Sequence, residues 1–531
     1  MAGKTNRWLA AAALGAFALG TCAATMPVAA DEPVVVRSVP IGNLRILDPI
    51  WTTAYITRNH AYMVWDTLFA MDANGEIQPQ MVDSYTVSDD GLVYTFSLRD
   101  GLMWHDGAPV TAADCVASIE RWAARDGMGQ ALMSFTDSLE VVDDATFTLT
   151  LTRPVGFVLD ALGKIDSNVP FMMPERLALT DPNEQITEVI GSGPFRFLAD
   201  EWVPGSRVVY EKFEDYVPRD EPASLAAGGK VVHIDRVESV YLPDAGVAMS
   251  AIASGEIDLH ESPPTDLLRM IEGNPDVNAL PNDPQGYQLF MVINHLHPPF
   301  DDPAVRQALM WGINQQDFMA MIVGDPARYT LCPAVYGCGG PNESHEGGEA
   351  LMAVDVDQAR ALIEEAGAMG ANVVMMDPAD NATLHPAALI GAQTLRRMGF
   401  EVQVDAMDWS TLTQRRASRA LPNEGGWNIF ITNSTATGIA NPLTHNFLKN
   451  CEQAWYGWPC DERIVELGTE WALETDDDRR AELIDELQRL HMENVSYIPL
   501  GQYRPDIIFR KEITDVIPGP ALFYWNLKKE G

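Results

Sequence analysis

Positive charge is scarce in this 531-residue chain: 36 Lys and Arg stand against 75 Asp and Glu, a net charge of −39. So acidic a surface repels phosphate backbones and excludes nucleic acid as a partner. The surplus acid reads as a well-solvated surface, with attraction of a cationic ligand as the alternative. Catalytic signatures are missing as well. The chain has no G-x-S-x-G elbow, no H-E-x-x-H, no Walker loop and no G-x-G-x-x-G after a strand, which removes the easily recognised hydrolases and nucleotide enzymes. After the first 30 residues no stretch reaches about 18 uninterrupted apolar residues, so the mature chain is expected to be soluble. What remains is ordinary globular stock, 47% hydrophobic and 21% charged. Its length exceeds what one core usually organises, which predicts two or more lobes.

Those first residues carry a strong local signal. Lys4 and Arg7 form a positive start, Leu9 to Gly20 a short apolar run, and Val28-Ala29-Ala30 a small-residue cleavage site before Asp31. This is the pattern of a secretory signal peptide. Leu19-Gly20-Thr21-Cys22 loosely resembles a lipoprotein box, so anchoring at Cys22 is the rival reading. Cutting after Ala30 removes two basic residues and no acidic ones, taking the charge from −39 to −41.

Of six cysteines, Cys22 leaves with the signal. Cys332 and Cys338 enclose CPAVYGC, and Cys451 and Cys460 enclose CEQAWYGWPC. In an exported chain two such close pairs in loop-like sequence are expected to form local disulfides. Zinc would want tighter spacing and added histidines. Cys115, on the apolar side of a helix, is expected to be a small buried hydrophobe.

Strand and helix patterns alternate throughout, which indicates α/β architecture. Val34 to Val39 is a β-branched run. SYTVSDDGLVYTFSLRD reads strand–turn–strand about Asp90-Gly91. Thr111 and Asp114 form a capping box before the stripe Cys115, Val116, Ile119, Trp122, Ala123. Phe147 to Thr152 alternates as a strand. Asp302-Pro303 opens a helix, residues 357–366 form an amphipathic helix stopped at Gly367, and Arg479 to Met492 a longer one.

Several residues invite chemistry. His105-Asp106 has the composition of a base with its orienting acid, but chain neighbours seldom face each other; a turn pinned by Asp106 ahead of Gly107 is expected. His295-x-His297 places two imidazoles on one strand face, yet Pro298-Pro299 ends that strand and no third ligand is evident. Gly191-Ser192-Gly193-Pro194 is expected to be a tight turn into Phe195-Arg196-Phe197 rather than a phosphate nest. Among 13 tryptophans, Trp427 follows Gly425-Gly426 in a loop, where a ring can line a ligand cleft. Trp455 and Trp458 lie between two cysteines.

FSLRDGLMWHDGAPVTAADCVASIERW resembles the signature of the bacterial oligopeptide- and dipeptide-binding proteins, the family-five solute receptors of ABC importers. Leu47-Asp48-Pro49, GSGPFRF at 191–197, PPFDDPAVRQAL at 298–309, ARALIEEAG at 359–367 and PGPALFYWNL at 518–527 resemble it too, in the same order. The resemblance implies a two-lobed α/β periplasmic-binding-protein fold of type II, joined by two hinge strands near Tyr287–Asn294 and Tyr497–Tyr503. It implies an N-terminal lobe of residues 31–72, 190–286 and 500–531, an inserted domain at 73–189 and a C-terminal lobe at 287–499. It further implies a periplasmic, monomeric, non-enzymatic receptor without cofactor or metal, whose partners are a small peptide or peptide-like solute and the membrane subunits of an ABC permease.

Trp51, Tyr287, Trp427 and Tyr503 are expected to line the cleft by stacking, and Asn433 and Ser434 by hydrogen bonding. One departure stands out. The family holds a peptide α-ammonium with an acid that aligns here with Thr437 or Gly438, neither of them acidic. A buried ammonium without a counter-charge is costly, so a polar solute other than a standard free-amine dipeptide is expected, unless another acid such as Glu261 substitutes. A nickel-chelate or haem receptor of the same fold, an exported hydrolase and a chemoreceptor partner stand as alternatives.

Overall fold

The computed structural model describes residues 32–474 and 476–530, so the signal peptide, its cleavage site and Cys22 lie outside the described residues. From Val34 onward the chain forms one compact unit. No helix among the described residues is long and apolar enough to cross a membrane.

Three main sheets organise this unit. The first has seven strands, in the order Val277–Pro281, Asp506–Arg510, Leu259–His260, Val35–Val39, Arg236–Val240, Arg207–Lys212, Phe195–Phe197. The strand Val35–Val39 sits in its interior, parallel to both neighbours, as its β-branched sequence suits. A second sheet of six strands runs Tyr329–Thr330, Tyr497–Tyr503, Tyr287–Ile293, Ile429–Thr435, Asn372–Pro378, Glu401–Met407. Its strand YQLFMVI is buried at every residue because partners flank it on both edges. The third is a four-stranded antiparallel sheet of Val82–Val87, Val93–Leu98, Thr146–Leu151 and Thr136–Asp143. There TFTLTL buries every second residue, with the Phe147 ring 5.0 Å from Phe96.

Local signals set the element ends. Thr111 and Asp114 close the capping box of the helix Ala112–Ala123, and Asp302 caps Pro303–Gly312. The helix Val356–Glu365 stops before Gly367, which adopts a φ of +70°. Gly91 takes a φ of +71° between the strands ending at Val87 and starting at Val93. Cys332–Cys338 and Cys451–Cys460 are bonded, and Cys115 is free and buried.

The passages between the two large sheets differ from expectation. Tyr287–Ile293 and Tyr497–Tyr503 lie wholly within the six-stranded sheet. The chain changes sheets through 282–286 and through Arg504-Pro505, so a boundary at 499/500 would fall inside a strand. The two passages touch: Asn282 N–H donates to Pro505 O at 2.8 Å, and Arg504 Nε donates to Pro284 O at 3.1 Å. Gly286, at a φ of +81°, lies so close to Tyr503 O that a side chain there would collide with it.

Candidate ligand-binding cleft

A helix from the seven-stranded half, Tyr55–Val64, carries the central residues; all of it except Ile56 is buried. Its approach is anchored by Asp48, whose carboxylate accepts from Arg121 at 3.1 and 2.7 Å in full burial. From the helix start, Tyr55 reaches the other half. Its hydroxyl donates to Ser434 Oγ at 3.1 Å and accepts from Thr435 N at 2.8 Å.

The six-stranded sheet meets it with the ends of three strands. Tyr287 pairs with Thr435 on one side and Tyr503 on the other. The Tyr287 ring lies 6.1 Å from Tyr55 and 6.0 Å from Tyr503, and Asn433 Nδ2 donates to the Tyr503 hydroxyl at 2.6 Å. Tyr287, Asn433, Ser434 and Tyr503 are therefore gathered round Tyr55. Beside them lies a cavity of about 90 Å³ bordered by Tyr55, Asn433, His260, Tyr241 and Asp380. Tyr241 donates to Asp380 Oδ2 at 2.6 Å and so ties the two halves across this cavity.

The other two expected residues are not in the group. Trp427 is fully buried; its indole N–H donates to Arg416 O, and its ring packs at 5.0 Å on Phe430 and 5.8 Å on Trp458. It fills core rather than lining the cleft. Trp51 faces a separate cavity of about 230 Å³ with Arg125, Lys449, Trp455 and Tyr456. Arg125 stacks on it at 5.2 Å.

Charge in the cleft is organised around Arg58, Asp166, Glu261 and Asp283. The Arg58 guanidinium lies 4.1 Å over the Tyr55 ring, pairs with Asp166 at 2.7 Å and donates to Pro520 O. Asp166 Oδ2 fills the space that a side chain at Gly438 would need. Where the sequence suggested a missing acid at 437 or 438, an acid thus arrives from the other half, already neutralised by Arg58. Glu261 Oε2 accepts from Ile41 N at 2.8 Å and Oε1 from Asn59. Burial pushes its pKa up to about 7. Asp283, in the first passage, is pushed by burial up to about 6.

His105 and Asp106 do not form a couple. His105 Nε2 donates to Gly193 O at 3.0 Å while Nδ1 accepts from Gly191 N at 3.4 Å, so the imidazole clamps the GSGP turn. Burial lowers its pKa to about 4. Asp106 instead accepts from Ala108 N and pairs with exposed Arg176. His295 and His297 lie beyond the strand end at Ile293; His297 faces Arg419 O.

Tyr55, Arg58, Asp166 and Asp283 went unnoticed in the sequence. The only available trace was the polar run Thr57-Arg58-Asn59-His60 inside a helix, which is unusual where every one of those residues is buried.

Comparison with known proteins agrees with this geometry. Residues 76–453 match the family model described as bacterial extracellular solute-binding proteins, family 5 Middle. A Sinorhizobium fredii protein named a probable peptide ABC transporter periplasmic-binding protein is 38% identical over 507 residues, 94% of each chain. Among solved structures, a Helicobacter pylori periplasmic binding protein, DppA, in complex with the peptide STSA superposes with a TM-score of 0.77 at 20% identity, covering 94% of this chain and 98% of that one. The A. tumefaciens R10 protein AgaA, in complex with agropinic acid, superposes with a TM-score of 0.78 at 21% identity, covering 94% and 99%. The fold is that of the two-lobed, type II periplasmic binding proteins, and the chain belongs to the family-five bacterial extracellular solute-binding proteins.

Proposed function

We propose that the chain is an exported receptor of an ABC importer. It encloses a peptide-like or other polar solute between its two sheet-centred halves and presents the closed form to permease subunits in the membrane. The observation that carries this reading is the seam itself. Tyr55 bonds to Ser434 and Thr435, and Tyr241 to Asp380, beside a cavity lined from both sides by polar and apolar residues. Hydrogen bonds that span two bodies stabilise one relative placement and break when the bodies part, which is what hinge closure requires. A solute stripped of water inside needs a partner for each polar group, and Tyr287, Asn433, Ser434 and Tyr503 can supply them.

In this reading residues 34–72, 190–286 and 504–530 form one lobe, 73–189 an inserted domain and 287–503 the other lobe. The leader is removed near Ala30 and the monomer works in the periplasm, by binding rather than turnover. The relative from S. fredii supports a peptide cargo. Asp166, already paired with Arg58 beside Gly438, favours a solute whose charge is met elsewhere than at the family's usual position. Calorimetry with di- and tripeptides, and with sugar–amino-acid conjugates related to agropinic acid, tests the cargo. Saturable binding of one class with a compacting scattering curve is expected; consumption of a solute with no compaction would contradict it.

A further inference from the structure

Among the described residues, buried carboxylates follow a rule with two exceptions. Asp48, Asp66, Asp126 and Asp166 each face a buried Arg or Lys, and Asp258, Asp377 and Asp506 a Lys, His or Arg. Asp72 and Asp114 lack a cation but accept three and four hydrogen bonds respectively. Glu261 and Asp283 have neither arrangement. Glu261, 3% exposed, accepts two hydrogen bonds and has no ion pair. Asp283, 2% exposed, accepts from Gln285 N at Oδ1 and is supported further by the Gly286 N–H, while its Oδ2 is buried with no partner. Both sit at the seam: Glu261 directly follows the strand Leu259–His260, and Asp283 lies in the passage leading to Tyr287. Asn282 Nδ2 bridges toward Glu261 O at 3.5 Å. Both carboxylates act electrostatically on the Tyr287 hydroxyl and on Arg58, and Arg58 already serves Asp166.

We propose that Glu261 and Asp283 are the receiving pair for a positively charged group of the solute, an ammonium, guanidinium or amidinium, set against the ring of Tyr287. The proposal rests on the receptor reading above and assigns that receptor's solute class. An unpaired buried acid is costly, and a protein that balances its other buried acids tolerates two only where something else supplies the charge. Nitrogen cations fit better than a divalent metal. Glu261 already spends a lone pair of each oxygen on N–H donors, whereas calcium or magnesium would want about six oxygen ligands or more. Aromatic rings from Tyr55, Tyr287 and Tyr503 also suit a nitrogen cation. A cationic cargo is consistent with a chain whose own charge is −39.

Native mass spectrometry of the freshly purified full mature chain, with release and fragmentation of any retained solute, tests this before any substitution is made. A solute carrying a basic nitrogen is the expected result. A neutral or anionic solute overturns the cationic assignment and leaves the receptor reading standing. Should nothing be retained, a panel of free-amine tripeptides, their N-acetylated forms, arginine and lysine is screened by thermal shift. A shift with the free amines and none with the acetylated forms supports the assignment, and equal shifts, or no shift with any probe, overturn it while leaving the receptor reading to the calorimetry above. Glu261→Gln and Asp283→Asn should each weaken binding of the identified cation by about 10- to 100-fold. The ligand-free melting temperature at pH 8 should stay level or rise, a combination that a merely structural pair would not produce. Undiminished affinity in the double variant would overturn the assignment.

Discussion

Two regions of the molecule treat buried charge in opposite ways. Around Asp66 every demand is met: Lys230 pairs at 2.7 Å, Tyr216 donates at 2.8 Å, Thr67 N donates at 2.9 Å, and Lys230 lies 4.8 Å over Trp525. Around Tyr287, Glu261 and Asp283 stand without a cation. The first arrangement is complete in the folded chain and serves the scaffold. The second is incomplete in the chain alone, and in the proposed reading its completion by the solute couples binding to closure.

The sharpest way to break this contrast is to create an unpaired acid in the scaffold, a third in the molecule. Lys230→Met should lower stability by about 3–5 kcal/mol, because it strands Asp66 in full burial, measured by urea unfolding. Solute affinity per folded molecule should be unchanged.

Glu261→Gln should do the reverse. Burial raises the Glu261 pKa from an ordinary 4.5 to about 7. The folded chain therefore keeps a proton that the unfolded chain releases, and wild-type stability falls as pH rises from about 4.5 through 7. Gln does not titrate, so the variant's advantage should be small near pH 4.5 and greater at pH 8 by on the order of 3 kcal/mol. The comparison with wild type at each pH cancels the buried histidines. His60, His295 and His491, lowered by burial to about 3, weaken the fold in acid in both proteins alike. A pH-independent difference would contradict the uncompensated acid.

Tyr55→Phe removes one hydroxyl that bonds across the seam to Ser434 and Thr435. Solute affinity should fall about 5- to 10-fold while the ligand-free melting temperature barely moves, since only the closed form uses these bonds. The smallest effect is expected for Asp106→Ala, which breaks an exposed pair with Arg176 and should cost less than about 0.5 kcal/mol. His105→Ala should loosen the GSGP turn and lower the melting temperature, with binding retained.

What the sequence disclosed follows a similar division. Features built from local chemistry were legible: the capping box at Thr111 and Asp114, the Asp302-Pro303 helix start, the alternating TFTLTL strand and the two cysteine pairs. Each is fixed by residues within a few positions of one another. Of the residues expected to line the cleft, the four at strand ends, Tyr287, Tyr503, Asn433 and Ser434, are the ones that the fold brings together round Tyr55. Trp427 lies elsewhere because a Gly-flanked ring is equally at home in a core, and only its burial, its packing on Phe430 and Trp458 and its indole bond to Arg416 O place it there. Trp51 lay near the right segment but faces another cavity. Arg58–Asp166 spans 108 residues and Tyr55–Ser434 379, so no local pattern announces either pair. Which acid lacks a partner is knowable only once every other acid has been placed.

Closure over a charged guest is tested most directly by small-angle scattering on chain stripped of solute by unfolding and refolding, then returned to the solute recovered from it. A smaller radius of gyration on re-addition in wild type, and little change when the Glu261→Gln, Asp283→Asn double variant receives the same concentration, is the predicted result. Identical curves with and without solute in wild type, at concentrations where calorimetry records saturation, would contradict it.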